Sequence, residues 1–193
     1  MSKLYTLALI FILFSCDSRR IVSNDDTIFV DYDKEQIFDW NNTILIKSVV
    51  SLETADDCVL SYARKCLVSG KYIVYHDEKQ KAIFVFDEEG TFLYVIDAVG
   101  GGPDEYTEIK DMAISCDKEF ILVLDNNSVV SFDLKNGRFQ DRISLPQNIA
   151  SNFYRFANVD KQTFYFWSTE KENSLYLYEN GEMKVIEKRT GFP

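Results

Sequence analysis

Histidine occurs once in this chain, at position 76, and that scarcity removes several chemistries at the outset. A metal held by several imidazoles cannot be assembled from one, and no motif places a serine for a Ser–His–Asp triad around it. Proline (3) and glycine (8) are few among 193 residues, which excludes collagen-like and Pro/Gly-rich low-complexity chains. Cysteine is limited to Cys16, Cys58, Cys66 and Cys116, and no CxxC or Cys/His spacing among them would hold zinc. Long apolar runs are missing too: residues 4–14 form the main one, far short of the roughly 20 residues that a spanning helix needs. Positive charge is in deficit, with 21 Lys and Arg against 31 Asp and Glu. So acidic a surface repels phosphate backbones and anionic headgroups, so nucleic acid is not an expected partner; the acids keep the protein soluble.

Two further motifs fail on inspection. Gly100, Gly101 and Gly102 precede Pro103 with no Lys-Ser/Thr and no helix pattern behind them, so they are not a P-loop. Asp31, Asp33 and Glu35 are spaced as in a calcium loop, but Gln36 stands where the turn glycine belongs and Asn42 where the bidentate glutamate belongs. No cofactor and no metal is expected.

What is present begins at the N-terminus. Lys3 followed by the apolar residues 4–14 has the charge and length of a signal peptide. Leu13-Phe14-Ser15-Cys16 resembles the lipobox of bacterial lipoproteins, in which cleavage follows the small residue and the Cys thiol is acylated. The resemblance implies a signal peptide over 1–15, a lipid on Cys16, and a polar tether over 16–26. Stable membrane anchoring needs two or more acyl chains, which such lipidation supplies.

The chain is rich in aromatics: fifteen Phe, eleven Tyr and two Trp. From residue 64 onward a unit of four short strands recurs, the first as RKCLVS, YIVYHD, AIFVFD and TFLYVID, each rich in β-branched and aromatic residues and separated by polar turns. Asp87, Asp133 and Glu179 mark the same place in three copies, 46 residues apart. Gly90, Gly137 and Gly181 follow them, where a tight hairpin needs positive φ. A four-stranded unit with a period in the mid-forties predicts an all-β, propeller architecture with antiparallel blades. Blades are expected at about 64–97, 111–145 and 154–188. The carboxylates of Asp77, Asp87, Asp125 and Asp133, which end strands, are expected to accept backbone N–H bonds in turns.

The run Gly100-Gly101-Gly102-Pro103-Asp104-Glu105-Tyr106 resembles the loop that leads into the inner strand of an NHL-type blade, with Asp104 in place of a glycine. With the lipobox and the spacing, the chain resembles the six-bladed β-propeller lipoproteins of Bacteroidota. That resemblance implies a partial propeller over 27–193, with closing strands within 27–53. Six units need roughly 280 residues, so about three of six blades are expected here, with the missing blades or a second copy needed to close the ring. It also implies a location in the bacterial cell envelope, lipid-anchored, with the outer membrane as the expected surface. Cys66 and Cys116 fall on expected inner strands of adjacent blades, where a bridge is open to them; buried free thiols are the expected state.

In this blade order, loops 76–81, 97–111, 125–128, 146–153 and 168–174 emerge on one face. Asp104, Glu105, Tyr106, Phe153, Tyr154 and Arg155 lie on or beside these loops and offer stacking and hydrogen-bonding groups for a glycan, peptide or envelope protein. Packing within the fold competes for each, Tyr106 above all. No catalytic residue is assigned. The leading function is a noncatalytic binding or scaffold module; the alternative is a fragment of a propeller lyase or hydrolase whose catalytic residues lie in the missing blades.

Overall fold

A computed structural model of the chain describes residues 45–170 and 173–188. The chain divides into two compact units, Met1–Lys47 and Ser48–Pro193. Of the first, residues 45–47 are described, and they are exposed without regular structure. Every element below belongs to the second.

The strand-forming segments build three four-stranded antiparallel sheets, each an up-and-down meander. The first holds β1 (Ala63–Ser69), β2 (Tyr72–Asp77), β3 (Ala82–Asp87) and β4 (Phe92–Ile96). The second holds β5 (Asp111–Ile114), β6 (Phe120–Leu124), β7 (Ser128–Asp133) and β8 (Phe139–Ser144). The third holds β9 (Phe153–Asp160), β10 (Thr163–Ser168), β11 (Asn173–Glu179) and β12 (Glu182–Lys188). The sheets are arranged like propeller blades, with β5 packed against β1 on one side and β9 on the other. Among the described residues they do not close into a ring.

Alternation along a strand sends successive side chains to opposite faces, and the middle sheet uses both. Ile121 and Val123 of β6 join Val74, Ile83 and Val85 in a core between the first and second sheets. Leu122 and Leu124, their chain neighbours, join Phe156, Phe164 and Phe166 in a core between the second and third. A strand with two buried faces must be apolar throughout, which is why β6 reads FILVL. Each such side chain, fully buried, stabilises the fold by about 1.5–3 kcal/mol. Phe153 lies parallel to Phe166 at 4.8 Å and fixes the start of β9 against β10.

The outer face of the first sheet is covered by its own leading segment. Leu52, Cys58 and Leu60 pack on Phe84, Phe86 and Phe92. The Glu53 N–H donates to the Gly90 carbonyl at 2.8 Å. Gly90 has φ +91, and a Cβ there would stand 2.2 Å from the Ser51 carbonyl oxygen, so only glycine fits both the turn and the close approach.

Several expectations are revised. Of the closing strands placed within 27–53, residues 27–44 lie outside the described residues and 45–53 form no strand. A strand requires a ladder, and this segment meets the sheet through side chains and the Glu53 contacts. Cys116 lies beyond the end of β5, in a turn. Cys66 and Cys116 are free and exposed; Cys58 alone of the three is buried. Its Sγ accepts from the Ala55 N–H at 3.1 Å, a local contact that draws it inward. Loop 146–153 contains a single helical turn, α1 (Gln147–Ala150), begun by Pro146 at φ −59, an angle the ring imposes.

Candidate binding cleft

The first strands of the three sheets begin side by side, and a cleft of about 680 Å³ opens where they do. The starts of β1, β5 and β9, the β2–β3 connection and the segment after α1 form its walls. Asp111 holds this junction together. One carboxylate oxygen accepts from Lys65 Nζ of β1 at 2.6 Å and the other from the Phe156 N–H of β9 at 3.2 Å. Lys65 also donates to the Met112 carbonyl at 2.7 Å. A nearly buried carboxylate thus joins all three sheets, through a charge-assisted contact in one direction and a backbone contact in the other.

The cleft's charge runs against that of the whole chain. Five cations line it, Arg64, Lys65, Lys81, Lys110 and Arg155, against three carboxylates, Glu78, Glu108 and Asp111. Each carboxylate is engaged: Glu78 by Arg64, Asp111 by Lys65 and Glu108 by Lys110 at 3.8 Å. Lys110 also donates to the Ser151 carbonyl at 2.9 Å. The charged side-chain groups of Lys81 and Arg155 have no hydrogen bond or ion pair with another described residue, although the Lys81 carbonyl accepts from Tyr106 and Arg155 lies in the β9–β10 ladder. In an acidic protein this concentrates positive potential in one recess.

His76, the sole histidine, is in the same wall and only 2% exposed. Its ring makes no hydrogen bond to another described residue, and no fully buried side-chain nitrogen or oxygen there lacks a partner. The ring nitrogens therefore keep their access from the cleft. Burial pushes the imidazole pKa below its ordinary value, and Arg64 lowers it further against the opposing pull of Glu78, Asp77 and Asp111. His76 is neutral near neutral pH, a donor at one nitrogen and an acceptor at the other.

Strand-end aspartates fix the loops around this face. Asp77, fully buried, accepts from the N–H groups of Ser61 (2.5 Å), Tyr62 (2.9 Å) and Gln80 (3.0 Å) and from the Gln80 amide (3.1 Å). Burial alone would raise its pKa; these hydrogen bonds outweigh burial and hold it at about 2. Asp125 does the equivalent for the second sheet, accepting from the Thr107 hydroxyl at 2.6 Å and the Thr107 and Glu108 N–H groups. Asp87 and Asp133 accept N–H bonds within their own hairpins. Asp87 and Asp133 are turn formers, Asp77 braces both its own turn and the segment at residues 61–62, and Asp125 ties down the loop at residues 107–108.

The glycine-rich loop is braced from within. The Glu105 carboxylate accepts from the Gly102 N–H at 2.7 Å and fills the space over Gly100, where a Cβ would stand 1.9 Å away. Arg142 of β8 clamps the loop, donating to the Pro103 carbonyl at 3.0 Å and to the Glu105 carbonyl, with Ser128 Oγ at 2.5 Å and Asp125 at 3.6 Å. Here the guanidinium fork serves architecture.

The six candidate contact residues therefore separate. Asp104 is exposed at the loop tip, and Glu105 turns inward as described. Tyr106 is fully buried, donates to the Lys81 and Ile96 carbonyls at 2.8 and 3.1 Å, and meets Phe132 edge-on. Phe153 is core as well. Tyr154 and Arg155 are exposed and line the cleft. Cys16 and the tether lie outside the described residues. The repeat held an unused signal: Lys65, Asp111 and Arg155 occupy corresponding places near the starts of the three inner strands, 46 and 44 residues apart. Charge recurs in register as the turn residues do, and that recurrence marks the cleft. His76 and Lys81 carry no such mark: the β1–β2 ladder sets His76 opposite Lys65, and the β2–β3 turn brings Lys81 there. Among the described residues no group of His, Cys, Asp or Glu could hold a metal, and no helix is long and apolar enough to cross a membrane.

No curated protein sequence matches the chain. Solved structures share its fold, among them two from Bacteroides. A Bacteroides fragilis protein inferred to be exported superposes with a TM-score of 0.63 at 16% identity, over 74% of this chain and 42% of its own. A member of the DUF4221 family from Bacteroides vulgatus superposes with a TM-score of 0.51 at 14% identity, over 71% of this chain and 46% of its own. The chain thus spans less than half the length of either. Residues 26–192 match the sequence model of a domain of unknown function, DUF4934, and with nearly its whole length inside that match the chain belongs to the DUF4934 family.

Proposed function

We propose that this chain is an envelope protein, exported and held to the membrane by lipid on Cys16, whose blades form part of a six-bladed, NHL-like propeller acting as a noncatalytic binding module. The observation that carries the binding role is the cleft where three inner strands begin, on the face from which the β4–β5, β8–β9 and the β2–β3, β10–β11 connections emerge. Variable loops on a rigid β scaffold are where binding groups concentrate. The cleft's size falls within the range of about 300–1,000 Å³ usual for small-ligand sites. Its ligand is a glycan, a peptide or a segment of an envelope protein. The likeness to a Bacteroides fragilis protein inferred to be exported supports the location, and the greater length of both structural neighbours supports a longer ring.

Two arms test this. In a Bacteroides host, the wild-type protein should fractionate with membranes and incorporate labelled fatty acid, while Cys16→Ala should do neither. Glycan arrays and pulldowns with the complete native protein should return a ligand whose binding is weakened by substitutions in the cleft. Labelling retained by Cys16→Ala, or absent from the wild type, sinks the anchor; blank arrays and pulldowns sink the module.

A further inference from the structure

The binding reading leaves the ligand's chemistry open, and the cleft narrows it. Three of its five cations are matched by carboxylates, leaving Arg155 of β9 and Lys81 of the β2–β3 turn without an internal counter-ion. His76, whose ring makes no hydrogen bond to another described residue, lines the same cleft. An unpaired cation in a recess favours an anion from outside, and an imidazole with an open donor and an open acceptor favours a ligand rich in hydroxyls.

Apolar anchoring is weak here. Ile109 and Phe153 line the cleft but are themselves 6% and 1% exposed, so they are spent on the core. Tyr154, 42% exposed and next to Arg155, is the accessible ring. Peptide and protein partners draw most of their affinity from aromatic or aliphatic anchors in desolvated pockets, and this cleft offers none. A sugar needs less: one flat ring against its C–H face, donors and acceptors for its hydroxyls, and a cation where it bears charge.

We infer that the cleft binds an acidic oligosaccharide, its carboxylate held by the Arg155 guanidinium, a sugar face against Tyr154, and a second unit reaching His76 and Lys81. The inference rests on the binding-module reading above and specifies its ligand class.

Calorimetric titration of the complete native protein with trigalacturonate, neutral galactotriose and pentaglutamate tests it. Trigalacturonate should bind, galactotriose about tenfold more weakly or worse, and affinity should fall as salt rises. Arg155→Ala should weaken trigalacturonate about tenfold with an unchanged melting temperature, because the side chain is exposed, and Arg155→Lys should recover part of the loss. His76→Gln should weaken it by a smaller factor, about threefold. Equal binding of galactotriose, or indifference to Arg155→Ala, overturns the acidic-sugar assignment. Pentaglutamate binding as tightly as trigalacturonate overturns the sugar in favour of a peptide. Equal galactotriose binding or tight pentaglutamate binding leaves a ligand and with it the module, whereas indifference to Arg155→Ala places the binding away from Arg155 and overturns the cleft assignment. Silence from all three probes overturns the acidic sugar; silence from arrays and pulldowns as well overturns the module with it.

Discussion

Asp77 shows how a residue's role depends on its hydrogen bonds more than on its type. With a folded pKa of about 2 against an ordinary 3.8, it favours the folded state whenever it is ionised. Its contribution is complete above about pH 4 and is lost as pH falls through about 2; the difference corresponds to about 2 kcal/mol. Urea titrations across this range should show stability falling with acid in the wild type. Asp77→Asn, which leaves fewer acceptors for Ser61, Tyr62 and Gln80, should lower stability near neutral pH by about 2–3 kcal/mol and flatten the acid limb. An Asn variant as stable as the wild type would show that these bonds stabilise little. Tyr106→Phe is the neutral counterpart: the Lys81 and Ile96 carbonyls lose their donor, at a cost of about 1–2 kcal/mol in the same assay, with the fold intact. The turn-forming aspartates were legible in the sequence because an Asp at a strand end has few other occupations. Tyr106 was legible only as a choice between core and ligand, because an aromatic beside a loop suits both and burial decides between them.

At the scale of elements, the four-strand unit was readable because strand composition, turn chemistry and spacing agree. Strands buried on both faces announce themselves as apolar runs, and the β3 and β6 segments are of this kind. What the sequence did not disclose was how elements are tied to one another. Arg142 lies on β8, about 40 residues from the loop it clamps, and nothing local marks it. Arg142→Lys keeps the charge but loses the fork, so two loop carbonyls and Ser128 cannot all be satisfied; the expected cost is about 1–3 kcal/mol, with faster hydrogen exchange confined to residues around 100–107. Exchange unchanged there would mean that Glu105 and the Asp125 contacts hold the loop alone. The segment over the first sheet escaped strand-based reading for a related reason: it binds through Leu52, Cys58 and Leu60 and makes no ladder.

For the molecule as a whole, the two end sheets differ in what covers them. The first has its leading segment across Phe84 and Phe86. On the third, Trp167 and Val159 are 38% and 52% exposed, on the side away from Phe164 and Phe166. Side chains alternate along β10, so Tyr165 and Trp167 share that outer face, and the register places Leu175 and Leu177 opposite them. Among the described residues only the Phe164 and Phe166 face of β10 is packed in a core, while the outer face keeps Trp167 exposed. Under the propeller reading a further blade belongs there, and for the 193-residue chain on its own a second copy is the available substitute. Sedimentation velocity over a concentration series should show reversible self-association of that chain. Trp167→Glu places a charge on the outer face while leaving the Phe164 and Phe166 core untouched, and it should shift association to about tenfold higher concentration. A chain that stays monomeric throughout would mean that this apolar face is stable in water without a cover, and the argument for a larger ring would lose its energetic basis.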